Sequence, residues 1–360
     1  MVAMWYVIVS LMLATYVSLD GRNFGAGMLH WIVARTAEER RQVIAAIGPL
    51  WSWHEVWLVG FGGTLFAVFP RLMASAFAGY YLALFLILWS LIFRGISIEV
   101  SGHINDRLWQ GFWDFVFAVS NFLLAILFGA AAGNLARGVP LDAAGNFSMA
   151  FFTNFRVRGH VGLLDWYTVS FAVFTAVLVA AHGATYLTLK TEGPIHDRSA
   201  TWANYLWAVA GPLFLAISIE SWLIVRPDLL GPAIHNPACW LGLSVIIVSI
   251  VTLISGLLNR AERRAFVGSN LFLLGLMVTG AAAIFPVMLY STVAPENSLT
   301  AYAVASSDSS LRLASIWWSV SFALTATYFA FMSRRYAGKS ARSATALVRP
   351  RLSFVSGRHR

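Results

Sequence analysis

Tyr80-Tyr81-Leu82-Ala83-Leu84-Phe85-Leu86-Ile87-Leu88-Trp89-Ser90-Leu91-Ile92-Phe93 decides the class of this protein. It closes an apolar run that begins at Leu72 and contains no charged residue. About twenty such residues wound into a helix match the roughly 30 Å of hydrocarbon in a bilayer. Working outward, further runs of this kind are Val2–Leu19 and Trp51–Phe69 before it. After it come Phe115–Ala136, Leu163–Leu189, Ala203–Val225, Cys239–Leu258, Ala265–Tyr290 and Leu313–Met332. Only Pro70 and Arg71 separate the second run from the third, which predicts a tight helical hairpin there. Over the whole chain 59% of residues are hydrophobic and 11% are charged, against about a quarter charged in soluble domains. The expected fold is all-α: a polytopic membrane protein of about nine transmembrane helices.

The rest of the chain bounds the function. Val2–Leu19 has no basic segment before it and no small-residue cleavage site after it, so it reads as a retained helix. The lone cysteine, Cys239, excludes an internal disulfide, a thiolate zinc cage and a cysteine-held iron–sulfur cluster. The longest connections, 20–50, 94–114 and 137–162, are too short for a soluble domain. From Ser333 onward the chain is basic and poor in apolar residues. It divides into a transmembrane domain, 1–332, and a tail, 333–360, expected to be disordered and cytoplasmic.

With nine crossings, nineteen of the 25 Lys and Arg fall on the side of the odd connections and the C-terminus. Basic loops stay in the cytoplasm, so the N-terminus is expected outside and the C-terminus inside. The net charge of +9 calls for no nucleic acid. Basic residues beside anionic membrane lipids gain about 1 kcal/mol each.

Ionisable side chains at membrane depth are costly, and each is a functional candidate. Glu55 leads, one turn into the second run, with His54 beside it. Asp20 ends the first run at the same depth, and Arg94 and Glu99 follow the third. Glu55, Asp20, His54 and Glu99 are candidates for a cytoplasmic proton entrance with Glu55 the innermost acid. Alternatively, Asp20 or Glu55 pairs with Arg94 in a structural cluster at helix ends. His54 and His182 lie well inside runs, where an imidazole either ligates haem iron or packs with its hydrogen bonds satisfied. Glu220 is expected to reach the headgroups or to meet Arg226. Asp114 and Asp165 read as helix-start acids. Gly25, Gly27, Gly60, Gly62, Gly63, Gly129 and Gly133 read as close-packing positions. Pro70 and Pro286 are expected to end or kink helices. The sequence has no nucleotide-binding loop, no nucleophile motif and no metal-ligand cluster.

A series of blocks then falls in a familiar order. It runs through Leu19-Asp20-Gly21-Arg22-Asn23-Phe24-Gly25-Ala26-Gly27-Met28-Leu29, Ile47-Gly48-Pro49-Leu50-Trp51 and Glu55-Val56-Trp57-Leu58. It continues with Gly62-Gly63-Thr64-Leu65-Phe66-Ala67-Val68-Phe69-Pro70, Leu91-Ile92-Phe93-Arg94-Gly95 and Gly133-Asn134-Leu135-Ala136-Arg137-Gly138-Val139-Pro140. His182-Gly183-Ala184-Thr185-Tyr186-Leu187, Ile284-Phe285-Pro286 and Asn297-Ser298-Leu299-Thr300 complete it. Together these resemble subunit II of the cytochrome bd-type quinol oxidases, up to about Met332. The resemblance implies two four-helix bundles plus one helix in a bacterial inner membrane, paired with a homologous subunit I. It implies a complex that oxidises quinol and reduces dioxygen to water. Haem b and haem d are then held by subunit I. This subunit holds no haem or metal of its own; in some members it binds a quinone or lipid and contributes a proton route, and a small third subunit occurs in some complexes.

Three positions depart from that pattern. Asn23 and Ser52 stand where the family usually carries acids, the second being the acid usually assigned to the proton route, and Trp53 replaces a glycine. A route through this chain would be remade around Glu55, His54 or water. Outside the family, the same acids would suit a stand-alone proton-coupled transporter, although the inverted repeats and paired broken helices of that class are missing. His54 and His182 would suit a membrane b-haem protein.

Overall fold

The computed structural model describes residues 1–339; most of the expected tail, 340–360, lies outside the described residues. The helices are α1 (Val2–Met28), α2 (His30–Val33), α3 (Ala37–Ile47), α4 (Trp51–Val68), α5 (Pro70–Gly79), α6 (Tyr81–Val100) and α7 (Arg107–Arg137). They continue with α8 (Trp166–Lys190), α9 (Pro194–Ile219), α10 (Leu230–His235), α11 (Pro237–Leu258), α12 (Glu262–Ile284), α13 (Ala301–Val304) and α14 (Asp308–Arg335). A π-helical turn, Glu220–Val225, extends α9. The one sheet among the described residues is a short antiparallel pair, β1 (Val287–Leu289) with β2 (Leu299–Thr300).

Among the described residues eight helices are long and apolar enough to cross a membrane, and the bent pair α4–α5 brings the number to nine when it is counted as one broken span. The tight hairpin at Pro70 is not what forms. Pro70 lacks an N–H and starts a new helix, so α4 stops at Phe69 and α5 leaves it at 119°. The third crossing therefore begins at Tyr81, not Leu72. The first crossing runs on past Leu19 to Met28, because the polar residues that follow Leu19 are paired inside the protein. At 1.5 Å per residue it is about 40 Å long.

Trp5 donates its indole N–H to the Leu311 carbonyl at 3.3 Å, so α1 and α14 start at the same end of the molecule. That end is the N face; the other, where α14 finishes, is the C face. α1 is central and packs on α4, α7, α8 and α12. Its approach to α8 is backbone against backbone, since a Cβ on Gly183 would collide with Gly25 and Ala26. Gly129 and Gly133 likewise let α7 settle onto Ala172 and Thr168 of α8. Gly62 and Gly63 differ from that expectation: each faces open space within the chain. Beside Gly63, α4 and α14 leave a groove of about 360 Å³ lined by Trp5, Met12, Trp57 and Trp318.

At the C face, Thr36 and Glu39 form a capping box on α3. Glu39 also accepts from Arg198 at 2.5 Å, which ties α3 to α9. The chain just past α14 is held too. Lys190 Nζ donates to the Tyr336 and Gly338 carbonyls at 2.7 and 2.9 Å, and Lys339 pairs with Glu262 at 3.0 Å. α14 therefore runs beyond Met332 to Arg335, and contacts with the helices continue to Lys339.

Candidate functional site

Three helices bring charge to one buried point. On α1, Asp20 and Asn23 share a face by their i, i+3 spacing, and Arg22 leans toward α8. α4 begins at Trp51, which puts His54 and Glu55 in its first two turns, and α6 supplies Arg94. Arg94 Nη1 donates to Asp20 Oδ1 at 3.0 Å, Nη2 lies 3.0 Å from Asp20 Oδ2, and Nη2 also pairs with Glu55 Oε1. Asn23 Nδ2 donates to Asp20 Oδ1 at 2.8 Å and lies 2.6 Å from His54 Nδ1. Arg22 Nη2 lies 2.8 Å from His54 Nε2. The guanidiniums are capped by rings: Arg22 over Tyr186 at 4.7 Å and Arg94 over Phe24 at 4.8 Å.

Asp20 and Arg94 are 0% and 1% exposed, whereas the Glu55 side chain is 25% exposed. This reverses the expected order: Asp20 is the innermost acid and Glu55 the more accessible one. The reason is that α1 does not end at Asp20. Ionised, the two carboxylates balance the two guanidiniums, which is how a charged cluster tolerates burial.

The hydrogen bonds of His54 expose a competition. Arg22 can only donate, so Nε2 accepts and Nδ1 carries the proton of a neutral ring. With Asn23 Nδ2 facing it, Nδ1 meets a second donor. Turning the Asn23 amide over offers its oxygen to Nδ1–H. That oxygen then faces Asp20 Oδ1, and the contact becomes a hydrogen bond only if Asp20 is protonated.

Glu99 does not join it. It is exposed on α6 and has no hydrogen bond or ion pair among the described residues. Ser52 is exposed as well. His182, buried in α8, lies 2.9 Å from Ser269 Oγ and 3.1 Å from the Ser18 carbonyl. Both nitrogens of His54 and of His182 are therefore taken up by protein partners. Among the described residues no group of three or more His, Cys, Asp or Glu is placed to hold a metal ion.

Two acids read as helix starts do more. Asp165 does cap α8, and it also pairs with buried Arg137. Asp114 is no cap, since Asp106 caps α7. Asp114 is buried eight residues further on, accepting from Arg40 Nε at 2.7 Å and lying 2.9 Å from His30 Nε2. Arg226 pairs with Asp228 at 2.7 Å, and Glu220 instead stands at the start of the π turn with a buried oxygen that no side chain or backbone group meets.

Sequence reading alone missed Arg22, Asn23 and His30 as network members, although a signal existed. Tyr16, Asp20 and Asn23 recur at spacings of four and three along α1, and the same spacing continues through Gly27 to His30 at the start of α2.

Comparison with known proteins places this geometry. The profile of cytochrome bd terminal oxidase subunit II matches residues 1–335. Cytochrome bd-I ubiquinol oxidase subunit 2 of Escherichia coli (strain K12) is 29% identical over 338 residues, covering 86% of this chain and 87% of that one. Cytochrome bd ubiquinol oxidase subunit 2 of Bacillus subtilis (strain 168) is 27% identical over 318 residues, covering 87% and 89%. The fold matches a chain of the bd oxidase from Geobacillus thermodenitrificans with a TM-score of 0.70 at 14% identity, covering 93% of this chain and 98% of that one. The chain belongs to the cytochrome bd terminal oxidase subunit II family.

Proposed function

We propose that this chain is the subunit of a quinol:dioxygen oxidoreductase that braces a haem-bearing subunit I and passes protons to it from the cytoplasmic side. The haems b and d belong to subunit I on this reading; both imidazole pairs of ring nitrogens here are already engaged. The C face is the cytoplasmic face of a bacterial inner membrane, because it carries the basic connections. A quinone or lipid and a small third subunit, both implied by the family, are assigned no residues here.

The observation that carries the proton role is the network itself. Asp20 is sealed inside while Glu55, sharing Arg94 with it, reaches the surface of α4. A proton on Asp20 can therefore be exchanged for one on Glu55 across a single guanidinium, with water as the mover. Arg94 stays protonated throughout and fixes both carboxylates. Ser52 is not needed, since Glu55 one turn on supplies the ionisable group.

Glu55→Gln keeps shape and hydrogen bonding but removes the titrating proton. The expected result is normal assembly with slowed oxygen consumption per assembled complex, while Glu55→Ala damages both. Unchanged turnover in Glu55→Gln would retire Glu55 as a proton carrier.

A further inference from the structure

At the C face α9 rests on α8, and α11 pairs with α12. Between α9 and the α11–α12 hairpin lies a cleft of about 350 Å³, with α8 as its floor. That is within the size range of small-molecule sites. His196, at the start of α9, bridges the mouth of the cleft. It lies 2.8 Å from Glu262 on α12 and 3.0 Å from Asp197.

The polar side chains lining the cleft share one property. Thr188 Oγ1 donates to the Ala184 carbonyl at 2.9 Å, Thr201 Oγ1 to the Asp197 carbonyl at 2.9 Å and Asn204 Nδ2 to the Ala200 carbonyl at 3.1 Å. With these donors turned back on their own helices, the two hydroxyls and the amide oxygen have lone pairs to offer a guest. The exposed Asp197 carboxylate adds negative charge. Such a lining suits a group that is positive and rich in N–H.

The rim is opposite in kind. Arg260 lines the cleft, and among the described residues its guanidinium has no hydrogen bond, ion pair or ring contact. Its φ is 52°, in the left-handed region that glycine adopts at less cost. The turn between α11 and α12 thus carries a strained residue whose charge nothing in the chain employs. Cation at the rim and acceptors within call for a ligand that is anionic at one end and an amine at the other. The walls also present exposed apolar side chains, Tyr205 on α9 and Ile254 and Leu258 on α11. Pockets of this kind between helices at a basic membrane face are where lipid headgroups lodge.

We propose that the cleft is a binding site for a phospholipid whose headgroup carries a primary ammonium, joined to its phosphate by a short ethylene arm. The ammonium donates to the oxygens of Thr188, Thr201 and Asn204 and faces Asp197. The phosphate takes the Arg260 guanidinium, and the acyl chains lie along Tyr205, Ile254 and Leu258. The lipid so held ties α9 to the α11–α12 hairpin across the gap. The site stands apart from the α1–α4–α6 network and does not depend on the proton role.

Native mass spectrometry of the detergent-purified complex tests it, with dioleoyl lipids added at equal concentration. Phosphatidylethanolamine should bind several-fold more than phosphatidylcholine, whose quaternary nitrogen has no N–H, and than phosphatidylglycerol, which has no nitrogen. Equal binding of all three would make the cleft an ordinary lipid contact and overturn the proposal. Glycerophosphoethanolamine, the same headgroup without chains, should not compete at equal concentration; displacement by it would make the ligand a soluble phosphoamine and overturn the lipid assignment. Arg260→Gly removes the guanidinium and suits the backbone. It should fold at least as well as the wild type yet bind phosphatidylethanolamine several-fold less, and unchanged binding overturns the site. Ala200→Phe, which fills the cleft, should abolish the selectivity; a lipid still selected there would lie elsewhere, and the proposal would fall.

Discussion

Arg94 is the residue on which the cluster depends, because it alone meets both carboxylates. Replacing it by Met leaves Asp20 and Glu55 facing each other without a cation. Removing one partner of a buried pair costs about 3–5 kcal/mol, so Arg94→Met should sharply lower both the yield and the thermal midpoint of the complex. Adding Asp20→Asn should recover part of that loss, and failure of the double variant to improve on the single one would mean that Arg94 acts through its stacking on Phe24. Arg94→Lys should fall between, since an ammonium cannot span two carboxylates as a planar guanidinium does. The participants Asp20, Glu55, His54 and Arg94 were legible in the sequence because charge inside an apolar run is conspicuous. Asn23 and Arg22 were not. Nothing in the sequence places an amide within reach of an imidazole from another helix, and an arginine after Asp20 looks like a loop cation until α1 is seen to continue.

Among the elements, the seam between α1 and α8 is set by Gly25 and Gly183 and has no slack. Gly183→Leu should part these helices and reduce assembled complex strongly, whereas Gly62→Ala, with open space around it, should be near neutral. Equal yields from the two would show that the seam can open. α3 offers a pH test. Partial burial pushes the Glu39 carboxyl up, but the N–H groups of Arg35 and Thr36 and the Arg198 guanidinium outweigh it and hold its pKa below the usual carboxylate value. A depressed carboxyl contributes stability that is present above its unfolded pKa, about 4.3, and is lost as pH falls through the folded value. Hydrogen exchange over residues 36–47 should therefore stay slow down to pH about 4 and quicken below it, and quicken at neutral pH in Arg198→Ala. Sequence runs located the crossings well because length and apolarity fix them. They misplaced the α4–α6 turn because α5 is apolar enough to pass for membrane, and only the break at Pro70 redirects it.

For the molecule as a whole, orientation is the claim with the widest reach. A green fluorescent protein fused after the tail should fluoresce, and alkaline phosphatase at the same point should stay inactive; the reverse pattern would turn the C face outward and end the proposed proton entrance. The order of synthesis gives the buried network a further consequence. α1 leaves the ribosome carrying Asp20 and Arg22, yet His54, Glu55 and Arg94 belong to segments made later, and Tyr186 later still. Until α6 emerges, the Asp20 carboxylate on α1 lacks the guanidinium that pairs with it, and hydrocarbon rejects an unpaired charge. α1 must therefore wait beside the insertion machinery, hydrated or only partly lodged, and be drawn in when Arg94 arrives. Nascent-chain tension should peak not when α1 is made but when α6 is, and Arg94→Met should erase that peak. The pairing that balances the finished subunit would then also time its entry into the membrane.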